Sequence, residues 1–169
     1  MSIKENLEQS VAAWEFLGVP ALLERFVLRN GKAFKPRKRI GRKRKAKMCF
    51  MNAFDFVSGN EGTQYVEGFT TTHGISIHHA WVTTTGDDAM DPTLDAAEHE
   101  YFGVTFTREQ MIESARATGY YSILDQGMGL NAELMFALDP ELEQIVKAIK
   151  PRSRAELLAA VQKITPTPP

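Results

Sequence analysis

Three observations predict an α+β fold: capped amphipathic segments at both ends, a central stretch rich in β-branched and aromatic residues, and an apolar run between them. The order helix, helix, strands, helices separates the two kinds of element along the chain instead of alternating them, which is the α+β pattern. Ser2-Ile3-Lys4-Glu5 is a capping box, and Ile3, Leu7, Val11 and Trp14 form one stripe of the helix that follows, closed at Leu17-Gly18. Pro20 opens a second helix to Leu28, stopped by Asn30-Gly31. The run from Cys49 to Val57 is apolar, too long for a typical strand interior, and ends at Ser58-Gly59-Asn60; it reads as a buried helix. Strands are expected at 63–72, 75–85, 88–91 and 99–106. Thr107 caps a helix to about Ala117, ended by Gly119, and Gly127-Met128-Gly129 is a loop. Asp139-Pro140 opens a helix to about Ile149, and Ser153-Arg154-Ala155-Glu156 opens the last, to about Ile164. The whole reads as one domain, 1–164, with a frayed tail at 165–169.

The single cysteine, Cys49, is followed after thirty residues by His79 and after twelve more by Asp91. Cys, His and Asp are the set that makes a thiolate and uses it: an imidazole takes the thiol proton, and a carboxylate holds the imidazole in the right tautomer. The opposite reading is a small buried hydrophobe at 49, a core histidine at 79 and a turn residue at 91. A hairpin discriminates between them. Residues 75–85 read as a strand, Gly86-Asp87-Asp88 as a turn, and Ala89-Met90-Asp91 as the start of the returning strand, before Pro92. His79 and Asp91 sum to 170, which centres the turn at Thr85 and makes the two cross-strand neighbours. Trp81 shares the face of His79, as core or as a platform for substrate, and His78 points the other way. Glu67, in an apolar strand beside Gly68, is either a solvent-face residue or a partner behind the site. Cys49 falls in the first turn of its helix, where the dipole favours a thiolate and its own N–H can serve an oxyanion.

The net charge of −1 hides an asymmetry: residues 32–47 carry ten of the twenty Lys and Arg and no acid, +10 against −11 for the rest. A block of this kind repels itself and is expected to be a mobile loop. Arg37, Lys38, Arg39, Arg42, Lys43, Arg44 and Lys45 are its candidate contacts with nucleic acid or another polyanion; they serve equally for an acidic protein partner or for folding back on the acidic body. Only Phe34 interleaves, so base stacking is not indicated. The block ends two residues before Cys49, and its positive potential favours the thiolate.

No apolar run of 18 residues occurs, which argues against a membrane helix, and the N-terminus lacks an apolar leader core. One cysteine makes no internal disulfide, so the natural setting is a reducing cytoplasm. The four histidines show no zinc spacing, and neither metal nor other cofactor is expected.

Cys49 in its apolar run, Tyr65-Val66-Glu67-Gly68, His79-Ala80-Trp81, Asp91-Pro92-Thr93 and Tyr101-Phe102-Gly103-Val104, in that order, resemble the transglutaminase-like branch of the papain-like cysteine peptidase superfamily, in the form seen in small bacterial and phage proteins. The likeness covers about 47–106. It implies a Cys-bearing helix packed on a small antiparallel sheet, with Cys49 as nucleophile, His79 as base, Asp91 as orienting residue, and a protein or small amide as substrate. The Cys-to-His interval is short for that family. The glutamine that papain-type members carry just before the cysteine is missing, the nearest upstream being Gln9. Two functions follow as expectations: a cysteine hydrolase or acyltransferase (peptidase, amidase, deamidase or transglutaminase-type), or a non-enzymatic polyanion-binding protein using 32–47.

Overall fold

The computed structural model describes residues 1–125, 127 and 129–164; the expected tail at 165–169 and Met128 of the expected loop lie outside the described residues. In chain order the elements are α1 (Ile3–Phe16), α2 (Leu22–Asn30), β1 (Lys32–Arg37), α3 (Cys49–Gly59), β2 (Gln64–Thr72), β3 (Ile75–Thr83), β4 (Asp88–Met90), β5 (Tyr101–Phe106), α4 (Arg108–Thr118), α5 (Ala132–Leu138), α6 (Pro140–Ala148) and α7 (Arg154–Ile164). The fold is α+β. The capping box at Ser2 and Glu5 starts α1, a second at Thr107 and Gln110 starts α4, and Asp139 caps α6 with Pro140 in its first turn.

The sheet closes on itself in the order β1-β4-β3-β2-β5. The sheet is small and mostly antiparallel, as the sequence predicts, and it has two features that the sequence reading did not contain. The sheet is a barrel, and one of its pairs, β1 with β4, is parallel. Closure depends on β1. Its first half, Lys32 to Phe34, pairs with β5, and its second half, Lys35 to Arg37, pairs with β4. The basic segment is therefore not a loop from its start; its first six residues are a strand. Phe34 alone anchors it, packed edge-on to Trp81 at 5.5 Å, while Lys32, Lys35 and Arg37 are exposed.

Register assigns the two faces of the sheet. Tyr65, Glu67 and Phe69 pair with Val82, Ala80 and His78, and this face lies under the helices, in a core with Leu7, Phe26, Ala53 and Val57. Val66 and Gly68 pair with Trp81 and His79 on the opposite face, inside the barrel, where Phe34, Val66, Trp81, Ala89, Ala96 and Tyr101 form a second cluster. Gly68 and Gly103 make room there. A Cβ on Gly68 would meet Gly103 Cα at 2.4 Å, and one on Gly103 would meet the Trp81 ring at 2.6 Å.

Candidate active site

Asp91 sits one residue beyond β4, and the β3–β4 pairing places Val82 opposite Met90. The turn is thus centred one residue later than the sequence suggests, and His79 and Asp91 are diagonal neighbours instead of directly opposed. The parity is unchanged, so they share a face. The shift has a local cause. Asp88 clamps the turn, accepting hydrogen bonds from the hydroxyls of Thr83, Thr84 and Thr85 and from the N–H groups of Thr84 and Thr85 at 2.7–2.9 Å.

His79 Nε2 lies 2.7 Å from Asp91 Oδ2, both side chains being buried. The same carboxylate oxygen accepts from the Tyr101 hydroxyl at 2.9 Å, and Oδ1 accepts from the N–H groups of Thr93 and Leu94 at 2.7 and 2.9 Å. With Nε2 engaged, Nδ1 is the nitrogen left free on the ring, and Cys49 lies close enough to help raise the imidazole. Burial alone would lower the pKa of His79; the bond to Asp91 and then the one to Cys49 outweigh it and lift the imidazole to about 9. Burial would raise Asp91, but the bond from His79 and those from Leu94 and Thr93 hold it below the ordinary carboxylate range. Tyr101 is pushed far up by burial and by the charge of Asp91, so it remains a donor. Trp81 lies nearly parallel to the His79 ring, 17° off with centroids 6.5 Å apart, and is fully buried, as a wall and not an exposed platform.

Cys49 is the first residue of α3 and half-buried. Asn52 N donates to Met48 O in the first bond of the helix, so the N–H groups of Cys49, Phe50 and Met51 have no helical partner. Lys47, two residues before the thiol, holds φ at +63°, an uncommon conformation for a residue with a side chain. The helix start is tied down by Asn52, whose Nδ2 donates to Lys45 O at 2.7 Å and to Thr93 Oγ1 at 3.0 Å. Gln9 is exposed on α1.

Glu67 is fully buried on the helix-side face. Its carboxylate accepts from the hydroxyls of Tyr65 (3.1 Å) and Ser122 (2.5 Å) and from the N–H groups of Ile123 and Leu124 (2.7 and 3.1 Å). The solvent-face alternative for this residue is excluded. His78 Nε2 lies 3.0 Å from Glu67 Oε1 but out of line for a hydrogen bond.

The basic residues divide. Arg37 pairs with Asp88 at 3.2 Å and meets Thr84; Arg39 donates to Leu94 O at 3.0 Å; Arg44 lies 3.7 Å from Asp55 and over the Phe56 ring. The backbone is tied as well, Arg44 N donating to Pro92 O at 2.8 Å and Ile40 N to Met90 Sδ at 3.4 Å. Residues 39–45 therefore form a strap across the Asp91–Leu94 loop and into α3. Lys38, Arg42, Lys43 and Lys45 remain exposed, with no acidic partner among the described residues.

Asn52, Tyr101 and Ser122 were not singled out from the sequence. Asn52 carried a signal: an amide inside an apolar helical run requires partners once buried. Ser122 carried none, and Tyr101 stood only within the motif Tyr101-Phe102-Gly103-Val104 with no role assigned, since both contacts depend on which segments the barrel brings together. Among the described residues no helix is long and apolar enough to cross a membrane, and no cluster of three His, Cys, Asp or Glu is arranged to hold a metal. Comparison with family models, curated proteins and solved structures finds no match to this chain.

Proposed function

We propose that the chain is a cysteine-nucleophile enzyme acting on an amide or related acyl centre. The observation that carries this reading is the buried His79–Asp91 pair, 2.7 Å apart, with the half-buried Cys49 at a helix start acting on the same imidazole. The motif order that resembles the transglutaminase-like branch supports the same class.

In this mechanism His79 holds the Cys49 proton on Nδ1, leaving a thiolate. The sulfur attacks the acyl carbon and a C–S bond forms, with the carbonyl oxygen carrying the charge toward the free N–H of Cys49. The C–N bond breaks as His79 returns its proton to the leaving nitrogen. His79 then takes a proton from water or an amine, which attacks the thioester; the C–S bond breaks and the thiolate–imidazolium pair is restored. Asp91 keeps the ring in one tautomer and stabilises its charge.

The test is the rate of Cys49 alkylation by iodoacetamide against pH, in wild type and His79→Ala. Fast alkylation at neutral pH that the substitution abolishes supports the reading. Slow alkylation indifferent to His79 would leave Cys49 a structural residue.

A second reading, polyanion binding through 32–47, is favoured by the exposed Lys38, Arg42, Lys43 and Lys45. It predicts an affinity for nucleic acid that falls steeply with salt, and it is compatible with the first.

A further inference from the structure

We propose that the groove beside Cys49 is a subsite for an apolar side chain of the acyl substrate, aromatic or long and unbranched, and that Glu67 is the positioning residue that fixes its far wall. This rests on the cysteine-enzyme reading.

The groove, about 260 Å³, has its near wall in Met48, Phe50 and Met51, which flank the nucleophile, and its far wall in Tyr120, Tyr121 and Ser122. The volume suits one large side chain. Thioethers and aromatic faces adapt to apolar groups of varied outline. Lys47 and Asp125 also line it and supply its charge. Tyr120 and Tyr121 are 42 and 44 % exposed, Tyr121 resting edge-on against Phe54 at 5.1 Å, so each ring offers an aromatic face to the groove.

The far wall is fixed in place. It leaves α4 through Gly119, at φ +76°, and belongs to no helix or strand. Glu67 holds it from beneath through Ser122, Ile123 and Leu124 in succession. The Tyr65 hydroxyl, 3.1 Å from Glu67, lies 3.2 Å from the carbonyl oxygen of Tyr121 itself. A buried carboxylate is costly unless its oxygens are satisfied, and here every donor but one comes from the groove wall or the residues continuing it. A pocket wall set by such support behind it can discriminate between side chains.

The probes are two chloromethyl ketones, of N-acetylphenylalanine and N-acetylglycine, applied to the full chain. In each, the Cys49 sulfur attacks the methylene carbon, the C–S bond forms, the C–Cl bond breaks and chloride leaves. Their rate ratio cancels changes in thiol reactivity. The expected ratio is roughly tenfold or more in favour of the benzyl reagent, from partial burial of its ring. Tyr121→Ala, at an exposed position, should bring it toward one, and Met51→Trp, which fills the groove, should do the same. Glu67→Gln should raise the half-saturating concentration of the benzyl reagent and not that of the glycyl reagent. A ratio near one in wild type, with His79-dependent alkylation by iodoacetamide intact, overturns the subsite and leaves the nucleophile standing. A ratio that both groove variants leave unchanged overturns it too. Iodoacetamide alkylation indifferent to His79 removes the enzyme reading, and this proposal with it.

Discussion

Two buried carboxylates, one on each face of the sheet, are satisfied by nearly the same set of donors. Asp91 takes two successive backbone N–H groups, a tyrosine hydroxyl and His79; Glu67 takes two successive backbone N–H groups, a tyrosine hydroxyl and Ser122. The difference is the fourth donor. A serine hydroxyl gives up no proton near neutral pH, so Glu67 is a latch. An imidazole does, and in the Asp91 set the thiol acts on that imidazole. Adjacent histidines sharpen the contrast, since His79 is aligned on its carboxylate and His78, one residue away on the other face, is not. Burial of an acid and a nearby histidine do not make a proton-handling site; alignment and a thiol acting on the ring do.

The sharpest way to break this comparison is to remove each histidine in turn. His79→Ala should slow alkylation of Cys49 at neutral pH by roughly 10²-fold or more, the range of a lost general base. His78→Ala should keep the fast phase. Equal losses in the two variants would mean that the faces do not differ in function.

Asp91→Asn tests the carboxylate with less damage. It keeps the shape, removes the charge and offers the ring the wrong hydrogen-bond partner. His79 should then titrate below its wild-type value of about 9, read by histidine NMR, because the first group that outweighs burial is gone. The sign is definite: wild-type His79 stays protonated through neutral pH and loses its proton near 9, and the variant loses it earlier. The rate loss should be smaller than that of His79→Ala, since orienting carboxylates contribute less than the base they hold. Glu67→Gln should leave the His79 titration unmoved.

How far the sequence reached depends on the kind of contact. Capping boxes and the 2-residue alternation are local, so α1, α4, α6 and the faces of His78, His79 and Trp81 were legible. The His79–Asp91 pairing was legible because hairpin parity survives a shift of the turn by one residue. The barrel was not. Its closure depends on β1 changing partners midway, and a run of Lys and Arg conceals a strand whose only buried side chain is Phe34. The role of Glu67 was open for the same reason. Its donors at 122–124 lie more than fifty residues away and meet it only through the tertiary fold.

The turn clamp gives a smaller effect, on stability. Asp88 is held far below the ordinary carboxylate range: burial works against this, but the hydroxyls of Thr85 and Thr84 and their N–H groups prevail. A depressed pKa contributes stability above the unfolded value of 3.8, and that stability is lost as pH falls. Asp88→Ala should therefore destabilise by about 1–3 kcal/mol at pH 7 in urea unfolding. The gap to wild type should narrow at acid pH. A gap of the same size at both would mean that the clamp acts through packing and not through its charge.

The smallest effect is expected in the strap. The Arg44–Asp55 pair is long, at 3.7 Å, and both side chains are over a third exposed. Arg44→Ala should cost less than about 1 kcal/mol, and that cost should shrink further in salt. The strap does not depend on it. Arg44 N stays bound to Pro92 O and Lys45 O to Asn52, both through the backbone of the strap, so the substitution should leave Cys49 alkylation within twofold or so. The same reasoning frees the basic side chains for another use. Because main-chain bonds hold the strap in place, Lys38, Arg42, Lys43 and Lys45 can turn to a polyanion without loosening the start of α3. Binding should then respond steeply to salt while alkylation does not. If salt slows both together, the charges and not the backbone hold the strap across the Asp91 loop.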